Sequence, residues 1–304
     1  MIYRVTHRTA YSYEDPVSVS HHLARLTPRD TPGQECHEAH ISVVPEPAAT
    51  STRDDYFGNI QTFFTLQEPH DSLIVEATSE IEVFTLRRRD FSLSPPWENV
   101  VESLVDDSSD DGLDAYQFVF GSQRVGASRE LADYARKAFP ARRPLLEAVY
   151  ELTRMIHRDF QFDSKATEVT TPVQAFFEKR RGVCQDFAHL QIACMRSLGL
   201  PGRYISGYLR TLPPPGKSRL VGADASHAWC SVWCPGDGWV DFDPTNNCVP
   251  ADGHVTVAWG RDYSDVSPIH GVLLGGARHT LHVGVDVTPI PMIAQKPSVS
   301  VPRN

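Results

Sequence analysis

Between Cys184 and Leu198 the apolar residues Phe187, Ala188, Ile192, Met195 and Leu198 fall three and four apart, the period of a helix. Gly199 and Pro201 stop that pattern, and from Arg203 to Leu209 the period becomes two. The chain must therefore pass from a helix opening on a cysteine directly into strands. Upstream, Gly182 ends a shorter helical run. Downstream, His227 to Trp233 alternates as a strand, Pro235-Gly236-Asp237-Gly238 is a turn, and Trp239 to Asp243 is its partner strand.

The rest of the chain divides by period. Residues 1–92 read as an antiparallel β domain, with strand-like runs at Tyr3-Val5, Leu23-Leu26, His40-Val44, Gln61-Leu66 and Ser72-Phe84. Residues 93–125 carry Pro95-Pro96 and the run Asp106-Asp107-Ser108-Ser109-Asp110-Asp111, and read as a linker or exposed acidic loop. Residues 126–290 hold the helices and the second group of strands. Ser128 caps a helix that ends by Pro140, and Pro144 opens a second with an apolar stripe from Leu145 to Ile156. Thr171-Pro172 opens a third, and Pro213-Pro214-Pro215-Gly216 is a loop. Thr280 to Val287 is a strong strand, and 291–304 is a proline-bearing tail.

Composition excludes several classes. With 304 residues, the chain is long enough for two domains and a sizeable core. A net charge of −9 argues against a nucleic-acid or anionic-membrane partner. No apolar run is long enough to span a bilayer, and the N-terminus has no apolar leader, so a cytoplasmic location is expected. Six cysteines are too sparse for a disulfide scaffold. Cys230 and Cys234, with Cys248 and His254, could be drawn as a zinc set, but the first two lie inside a strand-like run, so buried packing is the expectation and no metal or cofactor is called for.

The chemistry centres on Cys184. A thiolate attacks carbonyl carbon, and the unpaired N–H groups of a helix N-terminus stabilise it. Gly182 allows close backbone approach, and the Cys184 amide could serve a developing oxyanion. His227 heads a strand after a Pro/Gly-rich loop, as a base at the lip of a cleft would. Asp241 and Asp243 share a strand face, and either could orient the imidazole. A three- or five-residue hairpin loop centred on Gly236 puts Asp243 opposite Trp229, making His227 its diagonal neighbour on the same face. Asp241 would then sit nearer the turn, so Asp243 is favoured. Gln185, Trp229 and Trp239 are the expected substrate-binding residues. Asp186 reads as a first-turn acid, and His189 as structural.

Gly182-Val183-Cys184-Gln185-Asp186-Phe187-Ala188-His189, Ser226-His227-Ala228-Trp229 and the segment from Gly238-Trp239 to Asp243-Pro244-Thr245-Asn246 resemble, in chain order, the three catalytic blocks of the transglutaminase-like superfamily. Tyr3-Arg4-Val5-Thr6-His7, Leu26-Thr27-Pro28-Arg29 and Asp55-Tyr56-Phe57-Gly58-Asn59 resemble the β domain that precedes this core in bacterial members of the cysteine-protease type. The resemblance implies an α+β fold: a papain-like core whose nucleophile helix packs on an antiparallel sheet. It implies Cys184 as nucleophile, His227 as base and acid, and Asp243 as the orienting carboxylate. Gln185 stands where the animal enzymes have tryptophan, and no acidic calcium loop is evident. The expected activity is hydrolysis of an amide in a peptide or protein through a thioester. The alternatives are transfer to an amine, as in a transglutaminase or ligase, and a non-catalytic protein-binding scaffold.

Overall fold

The computed structural model describes residues 1–85, 89–211 and 225–291. The proline-rich loop expected at 213–216 and nearly all of the expected tail lie outside these residues. The N-terminal module is built on one long strand, β1 (Ile2–Ala24), which joins the two short runs expected at its ends. Side chains alternate along it, so Tyr3, Val5, His7 and Thr9 all turn inward. The strands β2 (Gln34–Val44), β3 (Ala49–Asp54), β4 (Ile60–Leu66) and β5 (His70–Val83) pair antiparallel in the order β2-β5-β1-β4-β3.

The acidic segment is not a linker. It forms α1 (Trp97–Asp106) and α2 (Asp110–Tyr116), with Val100, Leu104 and Ala115 buried in the main core. The charges gather at the junction of the two helices. There Asp107 Oδ1 accepts the Ser109 amide at 2.9 Å, and Ser109 Oγ caps α2 through the Gly112 amide at 3.1 Å. The run that reads as solvated is thus a pair of caps, and the apolar spacing on either side carries the packing.

Next come α3 (Arg129–Ala135), capped by Ser128, and α4 (Leu145–Asp159). The two-residue strand β6 (Gln161–Phe162), α5 (Val173–Lys179) and the two-residue β7 (Arg181–Gly182) lead into α6 (Cys184–Ser197). Pro172, not Thr171, is the cap residue of α5, while Thr171 Oγ1 accepts the Glu168 amide at 2.9 Å. Nearly all of α6 is buried. It packs on β8 (Gly202–Leu209) and β9 (Ala225–Cys234), the middle of a sheet completed by β10 (Gly238–Phe242) and β11 (His254–Gly260) in the order β10-β9-β8-β11.

The core ends earlier than the sequence suggests. After α7 (Tyr263–Val266), β12 (Ile269–Gly275) and β13 (His279–Pro289) return to pair with β1, giving the N-terminal sheet seven strands. Period alone identifies the Thr280–Val287 strand; its partner β1, reached from Ser12↔Thr280 to Val5↔Val287, is decided by tertiary pairing.

Two primary amides join the module to the core. β11 is an outer strand, and its open edge would leave backbone groups unpaired. Gln34 Oε1 accepts the Thr256 amide and Gln34 Nε2 donates to the Thr256 carbonyl, both at 2.8 Å. Asn59 does the same for Trp259, at 2.9 and 2.8 Å. Each side-chain amide thus stands in for one residue of a neighbouring strand. Asn59 is aimed by the turn that Asp55 closes and by Arg29, whose guanidinium lies 3.2 Å from the Trp259 ring centroid. Asn59→Ala is expected to destabilise the fold by about 2–4 kcal/mol, because it strips both partners from a backbone unit at a covered edge. Urea unfolding measures it.

Candidate active site

Cys184 is the first residue of α6, and a local network sets its position. Asp186 Oδ2 accepts the Val183 amide at 2.8 Å and the Thr167 hydroxyl at 2.6 Å. Burial raises the Asp186 pKa, while these two donors stabilise its anion. A side chain at Gly182 would run into Asp186 and the Phe176 ring, so the close approach there requires glycine. Gln191 and Thr153 bond across the α6–α4 contact at 2.9 Å, and His189 accepts the Tyr263 amide at 3.1 Å, a structural role as expected. Tyr204 of β8 packs against His189, and its phenol pKa is raised by burial and, next, by the nearby Cys184 charge.

β9 and β10 present the other two groups. Their register pairs Gly238 with Cys234 and Phe242 with Cys230, a hairpin of three loop residues centred on Gly236. That register carries Asp243 to His227. His227 Nε2 donates to Asp243 Oδ2 at 2.7 Å, and Cys184 lies near enough to favour the charged ring. Burial opposes a charged imidazole here, but Asp243 and Cys184 outweigh it and push the His227 pKa up to about 10. Asp243 is fully buried. Burial would raise its pKa, yet bonds from His227, His254 and Asn246 hold it far below the usual carboxylate range. Gly207 of β8 lies opposite His227, and a side chain there would overlap the Val255 carbonyl and the Trp229 indole. Glycine at this position lets the indole pack behind the histidine.

Asp241, the other carboxylate on this strand face, accepts the Trp229 indole N–H at 2.9 Å. It also lies, half-buried, close to Arg203, whose guanidinium sits between the Trp239 and Trp259 rings at 4.3 and 3.9 Å. It therefore anchors tryptophan, while Asp243 anchors the imidazole.

The structure separates the three expected substrate-binding residues. Gln185 stays beside Cys184, but it is buried and donates to the Val169 carbonyl at 3.0 Å. Trp229 and Trp239 line a cleft of about 1340 Å³ that also touches Asp241 and His254. Neither Cys184 nor Gln185 is among its lining residues. The tryptophans thus stand behind the carboxylate end of the site. A thiol-side wall could not be read from strand parity alone, because parity does not say which layer covers a face.

Two further groups on Asp243 escaped the sequence reading. Asn246 Nδ2 donates to Oδ2 at 2.7 Å, and His254 Nε2 reaches the same oxygen at 3.1 Å. The Thr245 and Asn246 amides fill Oδ1 at 2.9 and 3.1 Å. The Asp-Pro-Thr-Asn run could have signalled the amide part of this cradle, since an aspartate side chain closing a turn on the amides two and three residues later is a local motif. His254 carries no such signal, because only the return of the chain as β11 brings it there.

The cysteines do not form a metal set. Cys230 Sγ faces the Phe242 carbonyl, and Cys234 Sγ faces Asp237. Among the described residues, the group whose atom types suit a cation is His227, Asp243 and His254. Those atoms are already hydrogen-bond partners at 2.7 and 3.1 Å, an arrangement for sharing protons. The described cysteines are free, and burial pushes up the thiols of Cys194, Cys230, Cys234 and Cys248. Cys184 differs from them in lying close enough to an imidazole to raise its pKa.

A half-buried cysteine at a helix start, served by an imidazole and a buried carboxylate on an adjacent antiparallel sheet, defines a thiol–imidazole–carboxylate site on a papain-like core. Comparison with known proteins bears on the fold and the family. Residues 3–82 match the bacterial transglutaminase-like N-terminal region, and residues 109–244 match the transglutaminase-like superfamily. An uncharacterised protein of Mycobacterium tuberculosis is 38% identical over 295 residues, covering 94% of this chain and 92% of that protein. One of Mycobacterium leprae is 33% identical over 289 residues, covering 94% and 98%. A protein-glutamine gamma-glutamyltransferase of Pseudomonas aeruginosa is 33% identical over 126 residues, 40% of this chain and 19% of that protein. The crystal structure of a candidate cysteine protease from Cytophaga hutchinsonii shares the fold, with a TM-score of 0.73 at 22% identity over 96% of this chain and 92% of that one. The chain belongs to the transglutaminase-like superfamily, with the N-terminal β region of its bacterial members. Among the described residues, no helix is long and apolar enough to cross a membrane.

Proposed function

We propose that this protein is a cysteine-dependent amide hydrolase acting on a peptide or protein. The observation that carries this reading is the placement of His227 between Cys184 and a buried, anionic Asp243 at 2.7 Å. His227, its pKa raised beside Asp243, is the base that takes the Cys184 proton to give a thiolate–imidazolium pair. Cys184 Sγ attacks the amide carbon, with the first-turn amides of α6 available to the oxyanion. The C–N bond breaks as His227 gives its proton to the leaving amine, leaving a thioester. Water then attacks while His227 takes its proton; the C–S bond breaks, and the thiolate–imidazolium pair is restored.

The partial likeness to a gamma-glutamyltransferase favours one second reading, in which an amine replaces water at the thioester. The test presents a glutamine-containing protein to the enzyme with and without a labelled primary amine. Ammonia or peptide release without label supports hydrolysis. Label fixed on the protein in a Cys184-dependent way supports transfer, and neither outcome together with no trapped thioester leaves the scaffold reading.

A further inference from the structure

We propose that His254 is a fourth member of this site, a positioning residue that holds Asp243 against His227. The inference rests on the catalytic reading of Cys184, His227 and Asp243. Asp243 Oδ2 is shared by His227 at 2.7 Å, Asn246 at 2.7 Å and His254 at 3.1 Å. A carboxylate cannot donate, so both imidazoles present an N–H at Nε2. The His254 proton therefore helps to fix the side-chain torsion that aims Oδ2 at His227, from an element outside the turn. Without it, the contacts that aim the carboxylate at His227 all come from its own turn, Asn246 at Oδ2 and the Thr245 and Asn246 amides at Oδ1.

The ring of His254 and its backbone are themselves restrained. It meets the Trp229 indole edge-on at a centroid distance of 5.3 Å and lies 5.9 Å from the His227 ring. Its backbone amide donates to the Ala251 carbonyl at 2.9 Å. Its strand pairs with β8 on one edge and is gripped on the other by Gln34 and Asn59. The N-terminal module thus sets where β11 lies, and β11 sets where the Asp243 proton donor lies. This gives the module a part in the chemistry although none of its side chains reaches Cys184 among the described contacts.

His254→Gln keeps an N–H donor at a similar reach, whereas His254→Phe keeps a ring and loses the donor. The probes are alkylation of Cys184 by iodoacetamide at pH 6, with Cys184→Ala as the blank, and acylation by p-nitrophenyl acetate. His254→Phe is expected to slow both by between about ten- and a hundredfold through the rate constant, with KM for the ester unchanged, as a misaimed orienting group does. His254→Gln is expected to restore most of the rate. Thermal unfolding of each variant is followed alongside. A His254→Phe enzyme as fast as the wild type overturns the inference. So does equal slowing in both variants in proportion to lost thermal stability, which would mark His254 as packing only. A wild-type Cys184 no more reactive than glutathione overturns the catalytic reading itself, and this inference with it.

Discussion

Replacing Asp243 with Asn is expected to cost more stability than any other single change in the site, because it removes a buried charge on which two histidines converge. The substitution preserves shape but leaves His227 without its anion. Breaking one side of a buried pair costs about 3–5 kcal/mol of stability. Loss of the orienting acceptor also admits the wrong imidazole tautomer, with a fall in kcat of roughly 10⁴. Chemical unfolding and steady-state rates measure the two effects separately.

The same substitution should change the pH profile in a defined direction. The His227 pKa is raised from 6.5 to about 10. Its contribution to stability is therefore fully present below pH 6.5 and is lost as pH rises through about 10. Asp243 is depressed from 3.8, so its contribution is present above pH 3.8 and is lost as pH falls further. The pair is at full strength between those bounds. In the wild type, kcat/KM should fall above about pH 10, as the imidazolium loses the proton the leaving amine needs. In Asp243→Asn that alkaline limb should move down towards the ordinary imidazole value. An alkaline limb unmoved by the substitution would remove Asp243 from its orienting role.

The second large effect is on the nucleophile. Cys184→Ala is expected to lower turnover by about a million-fold. It should leave unfolding free energy nearly unchanged, since the side chain is half-buried and small. Mass spectrometry of the wild type quenched in acid should show an acyl adduct on the α6 peptide, absent from the variant. Cys194, on the same helix, is the internal control. It is fully buried, and burial pushes its thiol pKa up, so it should stay unmodified in both proteins. An adduct on Cys194, or retained activity in Cys184→Ala, would sink the mechanism.

Local sequence was enough for α6, for the β9–β10 hairpin and for the choice between Asp241 and Asp243. Each follows from rules that act over a few residues: apolar spacing, Gly and Pro as stops, and a turn whose centre sets strand register. That is why Cys184, His227 and Asp243 were legible before any fold was known. Charge misled at residues 93–125, where two helix caps look like a solvated loop when their buried neighbours are unseen. Parity assigns Trp229 and Trp239 to one face without saying that the face looks onto the cleft behind Asp243. The return of β12 and β13 to β1, the grip of Gln34 and Asn59 on β11, and the arrival of His254 at Asp243 were decided only in three dimensions. These contacts join residues from 11 to more than 250 positions apart. No local energy term selects such partners; burial and the need to pair every covered backbone and side-chain polar group do. The sequence by itself determined which three groups meet, and the tertiary structure decided what holds them at the working distance.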